Sequence, residues 1–179
     1  MIILEDTRNQ PGKHDKKNQY FAKHGIEVRR TKLYTGDYTL PTDQSVCVDT
    51  KKDIQELVGD ICGKSHVRFR DECIRAQESN IKLIILVENI DGVKEVRDLF
   101  QWINPRLKIW KNSDEVIGWW RNGRPRYKRV QKYPNATKGE TLAKACLTMQ
   151  LKYGVEFLFC KPEEAGAKVL ELLGVDADG

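Results

Sequence analysis

The segment from Ile81 to Val87 limits the fold more than any other part of the chain, because only Lys82 interrupts its apolar residues. Strands with apolar side chains on both faces are typical of sheets that helices cover on both sides. The segment therefore predicts a strand between two helical layers. Glu88 follows at its carboxyl end, where open α/β sheets usually bind ligands. Two interpretations of Glu88 stay open, a metal ligand and the polar end of the strand.

The remaining pattern predicts a chain in which helices alternate with strands after an antiparallel start. Strands are predicted at 1–6, 26–33, 34–40, 46–51, 81–88 and 155–160, and helices at 15–24, 53–62, 67–79, 92–100, 138–153 and 162–173. This order is typical of an α/β three-layer sandwich around a mixed sheet. With 179 residues, 40% of them hydrophobic, and no internal repeat or Ser/Gly-rich linker, the chain is expected to form one domain over residues 1–179.

Hydropathy and cysteine spacing indicate the compartment. No apolar run reaches membrane-spanning length, and Met1 leads directly into a strand without a signal peptide. We expect a soluble intracellular protein that contacts no membrane, cytoplasmic in a bacterial or viral source and nuclear in a eukaryotic one. The cysteines are widely spaced and odd in number, which favours buried free thiols over zinc ligands or disulfides. They are Cys47, Cys62, Cys73, Cys146 and Cys160.

Asp49 and Lys51 form the first candidate site. Residues 46–51 are rich in β-branched side chains and follow the turn formers 41–45, so they predict a strand. Alternation along that strand places Asp49 and Lys51 on one face, and Asp37 can join them from the preceding strand. Two carboxylates suit Mg²⁺, and the lysine can hold an attacking water or the charge that develops at phosphorus. The short D-x-K pattern also fits an ion pair on a solvated strand face.

Much of the chain around this pattern is similar to one family. The similar segments are Ile2 to Arg8 with its Asp-x-Arg, Gly25 to Tyr38 with Gly36-Asp37, Asp49-Thr50-Lys51, Ile54 to Ile61, Arg68, Ile81 to Glu88, Val155 to Cys160 and the helix from Pro162. They resemble the XPF-type structure-specific nuclease domain of the PD-(D/E)XK superfamily.

Three positions depart from that family's pattern. Asn9 stands where the family has an acid, and Thr50 where it has an arginine. The later aspartate falls on Gln55, or on Glu56 with a shift of one residue. Another register would put the acid slot on Thr50 and the motif lysine on Lys52. We prefer Asp49 and Lys51, because only that register puts an acid and a lysine on one strand face.

The resemblance implies a restriction-endonuclease-like fold and a Mg²⁺-dependent endonuclease in which Mn²⁺ substitutes. The implied substrate is branched, forked or flapped DNA. Members usually dimerise through this domain, so a homodimer or a heterodimer is expected. They also commonly carry helix-hairpin-helix modules, and this chain ends too soon after its last helix to hold one. The implied catalytic residues are Asp6, Asp37, Asp49, Lys51 and Glu56, with Asp37 and Asp49 as metal ligands and Arg8 and Arg68 as phosphate contacts.

Residues 101–137 do not fit the family core and are rich in tryptophan and basic residues. All four tryptophans lie here, Trp102, Trp110, Trp119 and Trp120, with the basic residues Arg121, Arg124, Arg126, Lys128, Arg129 and Lys132. Asn122-Gly123 between two strand-like segments predicts an inserted β-hairpin arm. Its basic residues favour binding to phosphates. For the tryptophans we prefer packing of the hairpin onto the core, and the alternative is that Trp119 and Trp120 stack on unpaired bases.

Two further functions stay open. The net charge of +5 and the pI near 8.9 are compatible with binding to a polyanion without requiring it. If the chain is a catalytically silent DNA-binding subunit, then Asn9, Thr50 and Gln55 mark a decayed site, although the retained acids and lysine argue against decay. A nuclease for plain duplex DNA or for RNA is the other alternative.

Overall fold

The computed structural model describes residues 1–9 and 12–175, which form eight strands and five α-helices. In chain order these are β1 Ile2–Asp6, α1 Asp15–Lys23, β2 Glu27–Thr31, β3 Tyr38–Thr39, β4 Val46–Lys51, α2 Ile54–Ile61, α3 His66–Glu78, β5 Lys82–Glu88, β6 Trp110–Trp119, β7 Pro125–Gln131, α4 Gly139–Tyr153, β8 Glu156–Cys160 and α5 Ala165–Leu172. Two short 3-10 helices cover Val96–Phe100 and Pro105–Lys108. Within these ranges no helix is long and apolar enough to cross a membrane.

Six strands form one mixed sheet in the order β2-β1-β3-β4-β5-β8. β1 is parallel to β2, and β4, β5 and β8 are parallel to one another. The short β3 is antiparallel to both β1 and β4 and joins the two parallel groups. β1 and β4 therefore run in the same direction, and their carboxyl ends, at Asp6 and Lys51, reach the same edge of the sheet.

Helices cover both faces of the sheet, and β5 contributes to both cores. Leu83, Ile85 and Val87 are buried in the larger core, which also contains residues of α2, α3 and α4. Leu86 is buried in the smaller core with residues of α1 and α5. The predicted three-layer arrangement around a mixed sheet is confirmed, because helices lie on both faces of the sheet. They cover both apolar faces of β5, as its sequence requires.

The alternation of β4 determines the direction of its polar side chains. Cys47 packs in the larger core, beside α2 and α3, and Val48 packs in the smaller core. Asp49 and Lys51 lie two and four residues after Cys47, so their side chains share its strand face and point toward α2 and α3. Thr50 shares the opposite face with Val48. The strand thus presents the acid and the lysine together, as the preferred sequence register requires.

The strand predicted at 34–40 is wrong over its first half. Only Tyr38–Thr39 forms a strand, because the preceding residues turn sharply at Gly36, where φ is +71°. A Cβ at Gly36 would lie 3.1 Å from Cys47 Cβ, so the turn also packs closely on β4. Asp37 N donates to Val48 O at 2.9 Å, which places Asp37 beside the end of β4.

β6 and β7 form the predicted hairpin as a separate two-stranded sheet. At its turn Gly123, with φ of +77°, donates its N–H to Trp120 O at 2.9 Å. Trp119 and Trp120 are 70% and 57% exposed, so packing onto the core is the wrong interpretation for these two side chains. Trp102 is buried, and its Nε1 donates to Asp91 at 2.8 Å. That the hairpin is an insertion into the family domain stays a prediction.

The cysteines are free thiols, and four of the five are buried as predicted. Cys62 is the exception, because it follows the last residue of α2 and is exposed. The prediction of a buried thiol was therefore wrong at this position. Cys62 is the one accessible thiol within the described ranges.

Gly139 begins α4 where two backbone carbonyl groups approach closely. A Cβ there would lie 2.2 Å from Leu99 O and from Trp102 O. We expect Gly139→Ala to lower the free energy of unfolding by about 1–3 kcal/mol, because the backbone has to move. Gly59→Ala in α2 is the matched control, since nothing lies within 4 Å of its Cβ. Alanine at position 59 should raise the free energy of unfolding by about 0.5–1 kcal/mol, because alanine favours a helix more than glycine does. Urea unfolding measures both changes, and equal stability of Gly139→Ala and wild type would contradict the close packing.

Candidate active site

A cavity of about 510 Å³ opens at the carboxyl ends of β1 and β4, beside α2 and α3. We call it the acidic cavity. It brings together all five residues that were predicted to be catalytic, and both predicted phosphate contacts outside the arm. Its charged lining residues are Asp6, Asp37, Asp49, Glu56, Asp60, Glu72, Arg8, Lys13, Lys51, Lys52, Arg68 and Arg75.

Asp49 is buried and has a carboxylate oxygen without a hydrogen-bond partner. Its Oδ2 lies 2.7 Å from Lys51 Nζ. This contact is an ion pair whose angles fall outside hydrogen-bond geometry, so Oδ2 receives no hydrogen bond. The pKa of Asp49 is raised to about 8, mainly because the carboxylate is buried. The charge of Lys51 acts to lower this pKa, and the charges of Asp37 and Glu72 act to raise it. A cation at this oxygen would relieve the unfavourable burial of the negative charge.

Lys51 is buried between two carboxylates. Its Nζ lies 2.7 Å from Asp49 Oδ2 and 2.8 Å from Asp60 Oδ2, and 5.1 Å from the centre of the Phe69 ring. Burial acts to lower the pKa of Lys51, but the charges of Asp49 and Asp60 outweigh it and hold the pKa above its usual value. The amine is therefore a fixed positive charge at the bottom of the cavity.

Thr50 holds the carboxylate of Asp37. Thr50 N and Thr50 Oγ1 both donate to Asp37 Oδ2, at 2.9 and 2.7 Å. No hydrogen bond from residues 1–9 or 12–175 reaches Oδ1 of Asp37, so that oxygen is available to a ligand. The departure from the family pattern at Thr50 thus has a positioning role in this chain.

Glu72 of α3 fixes the turn that carries Asp37. Its Oε1 accepts hydrogen bonds from Gly36 N at 3.0 Å and from Thr35 Oγ1 at 3.3 Å. Because Gly36 directly precedes Asp37, this contact ties α3 to the position of the candidate ligand. Glu72 is partly buried, and its charge adds to the negative potential around Asp49.

Asp6 is engaged by Arg8 and by the backbone. Arg8 Nε donates to Asp6 Oδ1 at 2.9 Å, Arg8 Nη2 donates to Oδ2 at 2.5 Å, and Leu33 N donates to Oδ2 at 3.1 Å. Burial acts to raise the pKa of Asp6, but the hydrogen bonds and charge of Arg8 outweigh it and lower the pKa. This geometry supports Asp6 as a positioning residue that aims Arg8 at the cavity.

Glu56 and Gln55 lie on different sides of α2. Glu56 lines the acidic cavity, where its Oε1 lies 3.2 Å from Lys13 Nζ and its Oε2 accepts from Lys52 N at 2.8 Å. Gln55 points away, and its Nε2 donates to Asn104 Oδ1 at 2.8 Å. The geometry supports the shifted register, in which Glu56 takes the place of the family's later aspartate.

Residues 6–173 match the family described as the ERCC4 domain. The chain belongs to the ERCC4 domain family. This match confirms the XPF-type resemblance that the sequence motifs indicate. A comparison with curated protein sequences found no match.

Solved structures give the same fold. The structure of XPF from Aeropyrum pernix matches with a TM-score of 0.57 and 16% sequence identity, covering 97% of this chain and 63% of that chain. The structure of XPF from Aeropyrum pernix in complex with DNA matches with a TM-score of 0.59, the same identity and the same coverage. This chain thus spans less than two thirds of the XPF chains. The likeness confirms the predicted XPF-like fold of this ERCC4 domain.

The ERCC4 domain of this chain offers carboxylate oxygens and no closed metal cage. In the described ranges no group of three or more His, Cys, Asp or Glu side chains is placed to hold a metal ion. Mg²⁺ often binds through one or two carboxylates, with waters and substrate phosphates completing its shell. The Asp49 carboxylate, whose Oδ2 has the ion pair with Lys51 but no hydrogen bond, and Asp37 Oδ1 fit that mode. These two residues would hold the metal.

Glu88 and the hairpin lie outside the acidic cavity. Glu88 forms a buried ion pair with Lys17 of α1 and does not line the acidic cavity. This position agrees with the interpretation of Glu88 as the polar end of β5. The basic residues of the arm that do not line this cavity are Arg121, Arg124, Arg126, Lys128, Arg129 and Lys132. Lys132 lines a second cavity on the other side of α2.

Four charged residues of the ERCC4 site were not predicted from the sequence, Lys13, Asp60, Glu72 and Arg75. Helix periodicity contained a signal for three of them. Asp60 lies four residues after Glu56 on α2, and Glu72 and Arg75 lie four and seven residues after Arg68 on α3, so each shares a helix face with a predicted site residue. Lys13 lies before α1 and carries no such signal, because only the tertiary fold brings it to Glu56.

The raised pKa of Asp49 predicts a pH-dependent effect on stability. An acid whose pKa is raised by folding loses stability as the pH rises from the unfolded value near 4 to the folded value of about 8. Asparagine at this position cannot ionise. We expect Asp49→Asn to melt at a higher temperature than wild type at pH 8, by about 5 °C or more, and by much less at pH 4. Calorimetry in EDTA measures the difference.

The exposed Asp114 of the hairpin provides the control. Asp114→Asn should melt at the same temperature as wild type at both pH values, because its carboxylate is solvated. If the melting temperature of Asp49→Asn relative to wild type does not rise between pH 4 and pH 8, the argument from the burial of Asp49 is contradicted.

Proposed function

We propose that the protein is a Mg²⁺-dependent endonuclease that hydrolyses phosphodiester bonds in DNA. Membership of the ERCC4 domain family supports a nuclease, and the solved complex of XPF from Aeropyrum pernix with DNA supports DNA as the substrate. The Asp49–Lys51 pair carries the proposal. Burying these two charges opposes folding, so chemistry explains the arrangement better than stability does.

The charged residues of the cavity support separate roles at a phosphodiester. Lys51, protonated between Asp49 and Asp60, would stabilise the negative charge that develops on the phosphoryl oxygens. Arg8, aimed by Asp6, would bind a non-bridging phosphate oxygen. Mg²⁺ bound by Asp37 and Asp49 supplies polarisation of the phosphodiester and an acidified attacking water, and Mn²⁺ would substitute for it.

Glu56 and Arg68 are placed for supporting roles. Glu56 carries a negative charge beside Lys13 and would orient a water in the cavity. Arg68 Nη2 lies 3.6 Å from Asp60 Oδ1, and its side chain is 79% exposed. It would therefore contact a phosphate at the mouth of the cavity. In this proposal dimerisation through the domain, as a homodimer or heterodimer, brings a second copy or a related chain to the same DNA.

Selectivity for branched, forked or flapped DNA rests on the hairpin. Trp119 and Trp120 are exposed, so their rings would be able to stack on unpaired bases, and Arg126 lies over the Trp120 ring, 5.5 Å from its centre. Paired duplex offers such bases only at its ends. Lys128 is partly neutralised by Glu115 at 2.9 Å, so the remaining arm arginines would supply most of the phosphate contacts.

The alternative of a catalytically silent DNA-binding subunit loses part of its support. Thr50, one of the three departures from the family pattern, holds Asp37 through two hydrogen bonds. Gln55, the second departure, lies outside the acidic cavity, and the adjacent Glu56 lines the cavity instead. The substitutions therefore leave the acids and the lysine assembled.

The first experiment measures cleavage of flap, fork, Holliday-junction and plain duplex DNA. We expect wild type to cut branched substrates with Mg²⁺ and to be inactive in EDTA. Asp37→Asn and Lys51→Ala should each lower kcat by about a thousandfold or more, because each removes a group that acts on the reacting phosphate. Lys52→Ala is the matched lysine control and should stay within about tenfold of wild type, because Lys52 is exposed at the rim of the cavity, whereas Lys51 is buried against Asp49 and Asp60.

Four outcomes would contradict the proposal. Equal activity of Asp37→Asn and wild type would remove the metal site. Greater loss in Lys52→Ala than in Lys51→Ala would show that the motif register is misplaced. Tight DNA binding with no cleavage under any metal condition would favour the silent subunit, and preferential cleavage of plain duplex or RNA would replace the substrate class.

The second experiment addresses the arm. Replacing Arg124, Arg126, Lys128 and Arg129 together by alanine should weaken DNA binding and make its salt dependence shallower by about three to four units, because each lost phosphate contact removes about one unit. Trp119→Ala should weaken fork binding more than duplex binding. Fluorescence anisotropy in EDTA measures both. An unchanged salt slope would remove the arm from the DNA-binding surface, and circular dichroism checks that each variant is folded.

A further inference from the structure

A second cavity, of about 590 Å³, lies on the opposite side of α2 from the acidic cavity. We call it the basic cavity. Its wall is formed by the end of α2, the turn into α3, and the segments on either side of the hairpin. Three cations line it, Lys64, Arg106 and Lys132, and no lining residue is acidic. The acidic cavity differs, because six acidic residues line it together with six basic ones.

α2 is the shared wall of the two cavities. Glu56 and Asp60, one helical turn apart, face the acidic cavity, and Gln55 and Gly59 face the basic cavity. An α-helix with its side chains is about 10–12 Å across, so the two cavities are separated by about that distance. Successive phosphates of one strand of duplex DNA are about 3.4 Å apart along the helix axis, so a duplex whose axis follows this direction spans the separation in about three nucleotides.

The three cations have no carboxylate partner within the described ranges. Arg106 and Lys132 both lie against the Tyr133 ring instead, 5.6 and 5.3 Å from its centre. The ring holds two like charges near each other without neutralising either. A pair of unneutralised cations beside a cavity favours an anion.

The backbone connects this cavity to the hairpin. Lys132 directly follows β7, and its N–H donates to Ile109 O at 2.8 Å, immediately before β6. Gln131 Nε2 donates to Leu107 O at 2.7 Å. The basic cavity therefore lies at the base of the hairpin, between the hairpin and the wall of the acidic cavity.

We propose that the basic cavity binds the phosphodiester backbone of the DNA substrate about three nucleotides from the scissile phosphate, between the active site and the arm. The inference rests on the proposed function, because it assigns a second contact to the same substrate. Lys64, Arg106 and Lys132 position the DNA and do not act on the reacting phosphate. Their loss should therefore raise KM and leave kcat unchanged.

Cys62 lines this cavity and allows a test in which only the sign of a charge differs. It is exposed, whereas the other four cysteines are buried. Methanethiosulfonate reagents can attach a sulfonatoethyl group or a trimethylammonioethyl group of similar size to its sulfur, at mildly alkaline pH because partial burial raises the pKa of the thiol. Cys62→Ser, which should respond to neither reagent, is the control for labelling elsewhere.

DNA binding in EDTA is then measured by anisotropy for both adducts. We expect the anionic adduct to bind branched DNA at least about tenfold more weakly than the cationic adduct, because it neutralises the cations that hold phosphate. Equal affinities of the two adducts would overturn the inference, whether labelling weakens both or neither. A response of Cys62→Ser equal to that of wild type would overturn it as well.

A second measurement uses unlabelled variants with equal changes in charge. Replacing Lys64, Arg106 and Lys132 together by glutamine should raise KM about tenfold or more and reduce the salt slope by about two to three units. The control replaces Lys16, Lys23 and Lys152, exposed lysines outside both cavities, and should leave the slope unchanged. Equal slopes for the two triple variants would overturn the inference.

The outcomes separate this inference from the proposed function. Wild type that neither binds nor cleaves DNA would refute the nuclease proposal, and the second contact with it. Wild type that cleaves DNA with Mg²⁺, while its two Cys62 adducts bind equally, would refute the basic cavity alone.

Discussion

The buried amine of Lys51 is the contact on which the candidate site depends. It joins Asp49 of β4 to Asp60 of α2, at 2.7 and 2.8 Å, and so ties the helix to the edge of the sheet. A charge this deeply buried needs at least one carboxylate beside it, and Asp60 remains as a partner when Asp49 is neutral. The position of α2 in turn places Glu56 in the acidic cavity and Gln55 outside it. One ion-pair network thus sets the geometry of the wall that separates the two cavities.

The same network opposes stability. Asp49 is buried, and its pKa is raised to about 8 because burial penalises its charge more than the charge of Lys51 compensates for it. Asp6 shows the contrast, since direct hydrogen bonds from Arg8 and from Leu33 lower its pKa. Asp6 receives hydrogen bonds within the fold, whereas Oδ2 of Asp49 has the ion pair with Lys51 but receives no hydrogen bond. Such a difference between neighbouring carboxylates is characteristic of sites that await a ligand.

Departures from a family pattern have to be judged by contacts as well as by identity. Thr50 stands where the XPF-type pattern has an arginine, yet its amide and hydroxyl fix Asp37. Gln55 occupies the strict position of the later aspartate, yet the adjacent Glu56 faces the cavity. A one-residue shift at the start of a helix turns a side chain by about 100° around the axis, which is enough to exchange one cavity for the other.

The sequence alone determined the elements and the strand face of the site. The apolar run of β5 required helices on both sides, and the period of two along β4 put Asp49 and Lys51 together. It could not determine that the segment before β3 turns at Gly36, that Lys13 and Glu72 reach the cavity, or that Arg106 and Lys132 meet across Tyr133. Local patterns record which way a side chain points along its own strand or helix. Only the tertiary structure decides which distant segment it meets, because contacts between segments far apart in the chain depend on how whole layers pack.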